Sequence, residues 1–167
     1  MVASMAQPAL INIKSSDITA PLLELNNRHA KELSYLDAAR FGALVDDAFL
    51  ACRVGEAQAL LLAFDQDAAY DSYNFLWFRE RYERFVYVDR IVVDPQQRGR
   101  GLARALYAAL FARARQAGHE RIVCEINSDP PNPASDAFHQ QLNFALVGAA
   151  ELPGGTKRVR YFVKPLS

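Results

Sequence analysis

The chain has 167 residues, 51% of them hydrophobic, with 19 basic and 19 acidic side chains and no net charge. That length and apolar content can bury one good core, and the charge balance excludes a surface built as a whole for nucleic acid or acidic partners. Cys52 and Cys124 are the only cysteines, each in an apolar context, which excludes a disulfide framework.

In chain order, residues 1–8 read as a frayed end, and Ala9 to Ile13 alternates like a first strand. Ser15, Ser16 and Asp17 offer N-caps for a helix over about Thr19 to Lys31, with Pro21 tolerated in its first turn. A second helix is predicted from Asp37 to Ala48, with Leu36, Phe41, Leu44 and Val45 turned inward. The polar stretch between them, Asn26 to Tyr35, includes Glu32 and Ser34. Phe49 to Val54 and Ala59 to Phe64 then form a predicted hairpin about Gly55-Glu56.

Asp65 to Phe85 interleaves seven aromatic residues, Tyr70, Trp77 and Tyr82 among them, with seven acidic or amide side chains. Periodicity does not decide between helix and strand. Three uses remain open: packing on the sheet edge, a contact with a second subunit, where aromatics and arginine are enriched, or a pocket wall suited to a cationic amine. Asn74 and Trp77 are the residues here assigned to such a wall, together with Tyr87 further on. The next strand, Arg84 to Val93, carries Phe85, Tyr87, Asp89, Ile91 and Val93 on one side. A charged pair in its middle, Asp89-Arg90, needs a reason, because an unpaired buried charge is costly. Either an ion pair holds the sheet, or Asp89 faces a reaction centre.

Asp94-Pro95 ends that strand. Gln96-Gln97-Arg98-Gly99-Arg100-Gly101 follows, and then an alanine-rich helix with Leu102, Leu106 and Leu110 on one face, stopping near Gly118. A strand, a glycine turn and a helix N-terminus make an anion site. The first helical amides have no intrahelical partner and sit at the positive end of the helix dipole. Gly99 and Gly101 remove the Cβ atoms that would hold a phosphate off the backbone, and Arg98, Arg100 and Arg104 add cations. A P-loop would need Lys-Ser or Lys-Thr after Gly101, and a dinucleotide fingerprint a third glycine where Arg104 stands. Neither is present.

Arg121 to Ile126 is a further core strand, with Val123, Glu125 and Asn127 on one face. Ser128 to Pro133 is a rigid loop, Asn132 caps a helix over Pro133 to Leu142, and Asn143 suits a left-handed helix end. Ala145 to Leu152 and Lys157 to Pro165 close as a hairpin. The order is β-α-α-β-β-(aromatic segment)-β-α-β-α-β-β, an α/β (α+β) chain with a mixed, mostly antiparallel sheet flanked by helices, expected to form one domain over 1–167.

Gln96-x-x-Gly99-x-Gly101 is similar to the Q/R-x-x-G-x-G/A signature of the GNAT superfamily of acyl-CoA-dependent N-acetyltransferases. Asn132 to Phe144 resembles that family's N-x-x-S-x-x-F-[Y/H]-x-x-x-G-F segment, with Asn143 in place of glycine. The resemblance is clear over Val86 to Val147. It implies the GNAT fold, in which the strands at 84–93 and 121–126 splay apart, and acetyl-CoA as cofactor. It places the pantetheine arm along the backbone of Ile91, Val92 and Val93, with Asn127 beside it. The phosphates fall to Gln96, Arg98, Gly99, Arg100, Gly101, Leu102, Ala103 and Arg104. Asn132, Ser135, Phe138 and His139 lie where the family contacts its cofactor. His139 stands where many members have a tyrosine that protonates the departing thiolate. For the base that deprotonates the amine, Asp89 and Glu125 lead. Glu32 and Ser34 would border the acceptor, beside Asn74, Trp77 and Tyr87.

The expected activity is transfer of an acetyl group to a primary amine of a small-molecule or amino-acid-like acceptor, by direct attack in a ternary complex. A protein N-terminal or lysine acetyltransferase, or a non-catalytic acyl-CoA-binding module, are the alternatives. No metal is implied. The surface aromatics favour a homodimer. No apolar run of membrane-spanning length and no basic-then-apolar leader occurs in the sequence, so a cytoplasmic protein without membrane or nucleic-acid partners is expected.

Overall fold

The computed structural model describes residues 8–28 and 35–167. Twelve elements carry the fold: β1 (Leu10–Asn12), α1 (Ala20–Arg28), α2 (Ala38–Asp47), β2 (Leu50–Val54), β3 (Ala59–Asp65), α3 (Tyr73–Arg79), β4 (Val86–Val93), α4 (Leu102–Gln116), β5 (Arg121–Asp129), α5 (Pro133–Gln141), β6 (Ala145–Glu151) and β7 (Arg158–Pro165). Hydrogen-bonded strand neighbours follow the order β1-β2-β3-β4-β5-β7-β6. The β4–β5 pair is parallel, whereas β1–β2, β2–β3, β5–β7 and β6–β7 are antiparallel. No described helix is long and apolar enough to cross a membrane.

The chain forms two compact units, residues 1–63 with 90–110 and residues 64–89 with 111–167. In the first, Ala59 to Ala63 of β3 are 0% exposed, as a strand covered on both faces must be. Phe41, Leu44 and Val45 of α2 and the preceding Leu36 are buried, as their spacing predicts. Asp37 caps α2 by accepting from Arg40 N–H at 2.7 Å. The cap of α1 is Thr19, whose Oγ1 accepts from Leu22 N–H at 3.3 Å, because Ser15 to Asp17 are drawn into a short 3-10 turn instead. Arg90 is 5% exposed and donates to Asn26 Oδ1 at 2.7 Å. Asn27 accepts from Leu36 N–H and donates to Leu36 C=O, tying α1 to the approach to α2.

In the second unit the aromatic segment becomes a turn followed by α3. Ser72 Oγ accepts from Phe75 N–H at 3.2 Å and starts the helix. Phe75, Phe78 and Phe85 are fully buried, and Phe85 meets the other two at tilted angles. β5 runs three residues beyond its predicted end, because β7 continues the ladder through Asn127↔Val159 and Asp129↔Arg158. Asn143 takes φ 66°, the left-handed value expected after α5.

Trp77 stacks on Tyr161 at 4.0 Å and 17°, with the Arg81 guanidinium 3.8 Å from its ring. Gly148 makes that stack fit: a Cβ there would lie 2.5 Å from Trp77 Cζ2. Gly148→Ala is therefore expected to destabilise the protein by about 1–3 kcal/mol, the usual effect of overpacking. Trp77 is the sole tryptophan, so its fluorescence reports the displacement directly. Unchanged emission and an unchanged unfolding midpoint would disprove the contact.

Candidate functional site

The first unit holds the glycine turn. Asp94 accepts from Gln96 N–H at 3.0 Å and starts a single 3-10 turn over Pro95–Gln97. Gly99 and Gly101 then take φ +80° and +73°, values that L side chains resist. A Cβ built on either would meet nothing within 4 Å. The glycines thus serve the backbone path and leave the space above the turn open. Ala105 N–H makes the first bond inside α4, to Gly101 C=O at 3.0 Å. The amides of Leu102 and Ala103 precede it, at the positive end of the helix. Gln96, Arg98, Arg100 and Arg104 are exposed around the turn. Just upstream on β4, Val92 is buried while Ile91 and Val93 are half-buried. This set of residues fits a phosphate-bearing group: open backbone amides, no Cβ wall and exposed cations.

The second unit holds a cluster of carboxylates, tyrosines and one amide. The parallel ladder of β4 and β5 pairs Val86↔Ile122 and Tyr87↔Val123. Beyond these pairs come Asp89 on β4 and Glu125 on β5. Tyr87 is 1% exposed, and its hydroxyl donates to Glu125 Oε1 at 2.9 Å. Glu125 Oε2 is buried with no hydrogen-bond partner. Burial above all, and then the negative charge of Asp89, push the Glu125 carboxyl up to about 7, while the Tyr87 hydroxyl and, more weakly, the nearby Asn74 amide pull it down. Burial, helped by Glu125 and Asp89, also holds the Tyr87 phenol well above its ordinary value. Asp89 is half-buried and accepts from the Tyr70 hydroxyl at 2.6 Å. Opposite Glu125 on β7 is Tyr161, which donates to Asn74 Oδ1 at 2.8 Å.

Each member of the charged pair at mid-strand has a polar partner outside the strand. Arg90 engages Asn26, whereas Asp89 engages Tyr70. The expected acceptor residues fare unequally. Tyr87 and Asn74 join the Glu125 cluster, Trp77 lies against Tyr161 and Gly148, and Glu32 and Ser34 lie outside the described residues.

His139 on α5 is 6% exposed. Its Nδ1 lies 2.8 Å from Ser135 C=O and 3.3 Å from Ser135 Oγ. Only a protonated nitrogen can bond a carbonyl, so Nδ1 carries the hydrogen. Burial lowers the His139 pKa, and the ring meets Phe138 and Phe144 edge-on. Asn132 spends its Oδ1 on Ser135 N–H at 3.3 Å as the cap of α5. Asn127 is half-buried on β5 beside a register shift, and Phe138 is half-buried on α5.

Tyr70 and Tyr161 carry the cluster's remaining hydroxyls, and sequence reasoning did not single them out as site residues. Tyr161 had one signal: it is the only polar-tipped residue among Val159, Tyr161 and Val163, the buried positions of a strand that alternates.

A family model described as Acetyltransferase (GNAT) family matches residues 25–144. Among curated proteins none matches the chain. Several solved structures share the fold at low identity. One is a putative acetyltransferase, yncA, from Salmonella typhimurium with its cofactor acetyl-CoA, at TM-score 0.71 and 18% identity over 97% of this chain and 95% of that one. Another is NAA60 of Arabidopsis thaliana in complex with acetyl-CoA, at TM-score 0.68 and 16% identity over 94% and 97%. A third is the ribosomal-protein-S18-alanine N-acetyltransferase from Escherichia coli, at TM-score 0.67 and 16% identity over 95% and 94%.

Proposed function

The chain belongs to the acetyltransferase (GNAT) family, and on that premise we propose that it transfers an acetyl group from acetyl-CoA to a primary amine of a small-molecule or amino-acid-like acceptor, by direct attack in a ternary complex. Acetyl-CoA is the donor that the family uses, and when bound it supplies an activated thioester. The turn Gly99–Arg104 would hold its phosphates, on amides and arginines, and the backbone of Ile91, Val92 and Val93 would line its arm.

The observation that carries the reading is the buried Glu125 carboxyl, raised to about 7 and bonded to Tyr87. A free amine has a pKa near 10, so roughly 99.9% of it is protonated at pH 7 and must shed a proton before it attacks. A carboxylate near 7 is a far better match for that task than one of ordinary acidity. Asp89, held by Tyr70, adds the negative charge that draws an ammonium toward the cluster. Tyr87 then offers a return path. Its hydroxyl would be the group to return a proton to the leaving thiolate and to recover one from the newly protonated Glu125, so that one proton would leave the amine and one would reach the thiol. His139 is the other candidate donor to sulfur, and its Nδ1–H is already engaged by Ser135.

The test is release of free thiol from acetyl-CoA with a panel of small amines, amino acids, and peptides bearing a free N-terminus or an internal lysine. Turnover with a small amine or amino acid supports the proposal. Turnover with peptides alone would move the acceptor to a protein, the class named for the Escherichia coli neighbour. Tight acetyl-CoA binding with no turnover on any amine would leave a non-catalytic acyl-CoA-binding module.

A further inference from the structure

We propose that Asn74 is a positioning residue for Glu125, held in its working orientation by the Tyr161 hydroxyl. The inference rests on the reading of Glu125 as the base and says what keeps that base usable.

A carboxamide has an accepting end and a donating end, and turning it over exchanges the two. Tyr161 donates to Asn74 Oδ1 at 2.8 Å, which commits the oxygen to Tyr161. The NH2 group is what remains for Glu125, and the Asn74 amide is close enough to favour the charged carboxylate. Glu125 has use for it: Oε1 is taken by Tyr87, and Oε2 is buried without a partner. If the amide turned over, its oxygen would face the carboxylate, and a buried negative group beside an acceptor is penalised.

Tyr161 is itself held firmly. It is 0% exposed, stands opposite Glu125 in the β5–β7 register, stacks on Trp77 at 4.0 Å and meets Phe78 edge-on at 5.2 Å. Trp77, expected from the sequence to touch the acceptor, thus supports the residue that orients Asn74. The other titratable groups near this array are Tyr87 and Asp89 on β4 beside Glu125, Tyr70 on Asp89, and Tyr73 and Arg81 near Tyr161.

The acceptor is unidentified, so the experiment reads Glu125 directly. The whole protein is labelled with 13C at glutamate carboxyls and titrated by NMR, and Glu125→Gln identifies the resonance. The parent midpoint is expected at about 7. Tyr161→Phe keeps the ring and frees the amide, and should raise the midpoint by about half a unit or more. Asn74→Asp keeps the acceptor for Tyr161, removes the NH2 and adds charge, and should raise it by about one unit or more. Trp77 fluorescence checks that the stack survives in each variant. Midpoints unmoved in both variants, with or without a lower unfolding temperature, would overturn the role of Asn74 and leave Glu125 as the base. A parent midpoint in the ordinary carboxylate range would overturn both readings together.

Discussion

Glu125→Gln is expected to abolish acetyl transfer and, above neutral pH, to make the protein more stable. Loss of a general base lowers kcat by about 10²- to 10⁴-fold, while acetyl-CoA affinity should stay within about threefold, since the glutamine adds no charge and little volume. The stability change follows from the burial of the carboxyl. The Glu125 carboxyl rises from an ordinary value of 4.5 to about 7 in the folded protein. Between those values the folded state binds more protons than the unfolded one, so stability falls as pH rises and levels off above pH 7. The full shift corresponds to on the order of 3 kcal/mol. Glutamine does not titrate, so the variant escapes that loss. Urea unfolding of both proteins at pH 5 and pH 8 should show a gap that widens toward pH 8. A gap equal at the two pH values would mean that Glu125 titrates as an ordinary surface carboxyl, and the base assignment would fall with it.

Gly101→Val is expected to remove acetyl-CoA binding without unfolding the protein. Valine at φ +73° imposes backbone strain of about 1–3 kcal/mol, which lowers the Tm by several degrees, at about 2–4 °C per kcal/mol for a chain of this size. Nothing within 4 Å receives the added side chain, so no protein contact is lost or clashed with. The isopropyl group instead fills the open space above the turn, where phosphate oxygens would reach the amides of Leu102 and Ala103. Isothermal titration should show acetyl-CoA affinity reduced at least about 100-fold, equivalent to about 2.7 kcal/mol. Gly154→Val is the control: Gly154 has φ +97°, likewise with nothing within 4 Å, in the turn between β6 and β7. It imposes similar strain in a different turn and should leave affinity unchanged. Normal binding by Gly101→Val would sink the phosphate-turn assignment, and equal loss in both variants would trace the effect to strain alone.

Much of the scaffold could be read from local signals, because the physics behind them is local. Asp37, Asn132 and Asn143 act within a few residues of themselves, as caps or as a left-handed stop, and the chemistry of each side chain announces the role. The glycine turn is of the same kind: a positive φ needs a glycine wherever the turn ends up in the fold. The aromatic segment resisted because α3 spans only Tyr73–Arg79, two turns, too short for a period to emerge when nearly every residue is apolar. The longer β5 was also out of reach, since its last rungs are made by β7, some thirty residues on.

By itself, the sequence determined most of the element order, the family and the glycine turn, each set by neighbours along the chain. Which carboxylate sits where, and in what company, was decided only by tertiary structure. Glu125 finds Tyr87 across 38 residues, Asp89 finds Tyr70 across 19, and Tyr161 finds Asn74 across 87. The β4–β5 register makes the first of those meetings, the placement of the Tyr70 loop and of α3 makes the other two, and burial then raises Glu125 toward neutrality. Neither register nor burial is a property of one residue and its neighbours in the chain, and the raised Glu125 carboxyl depends on both.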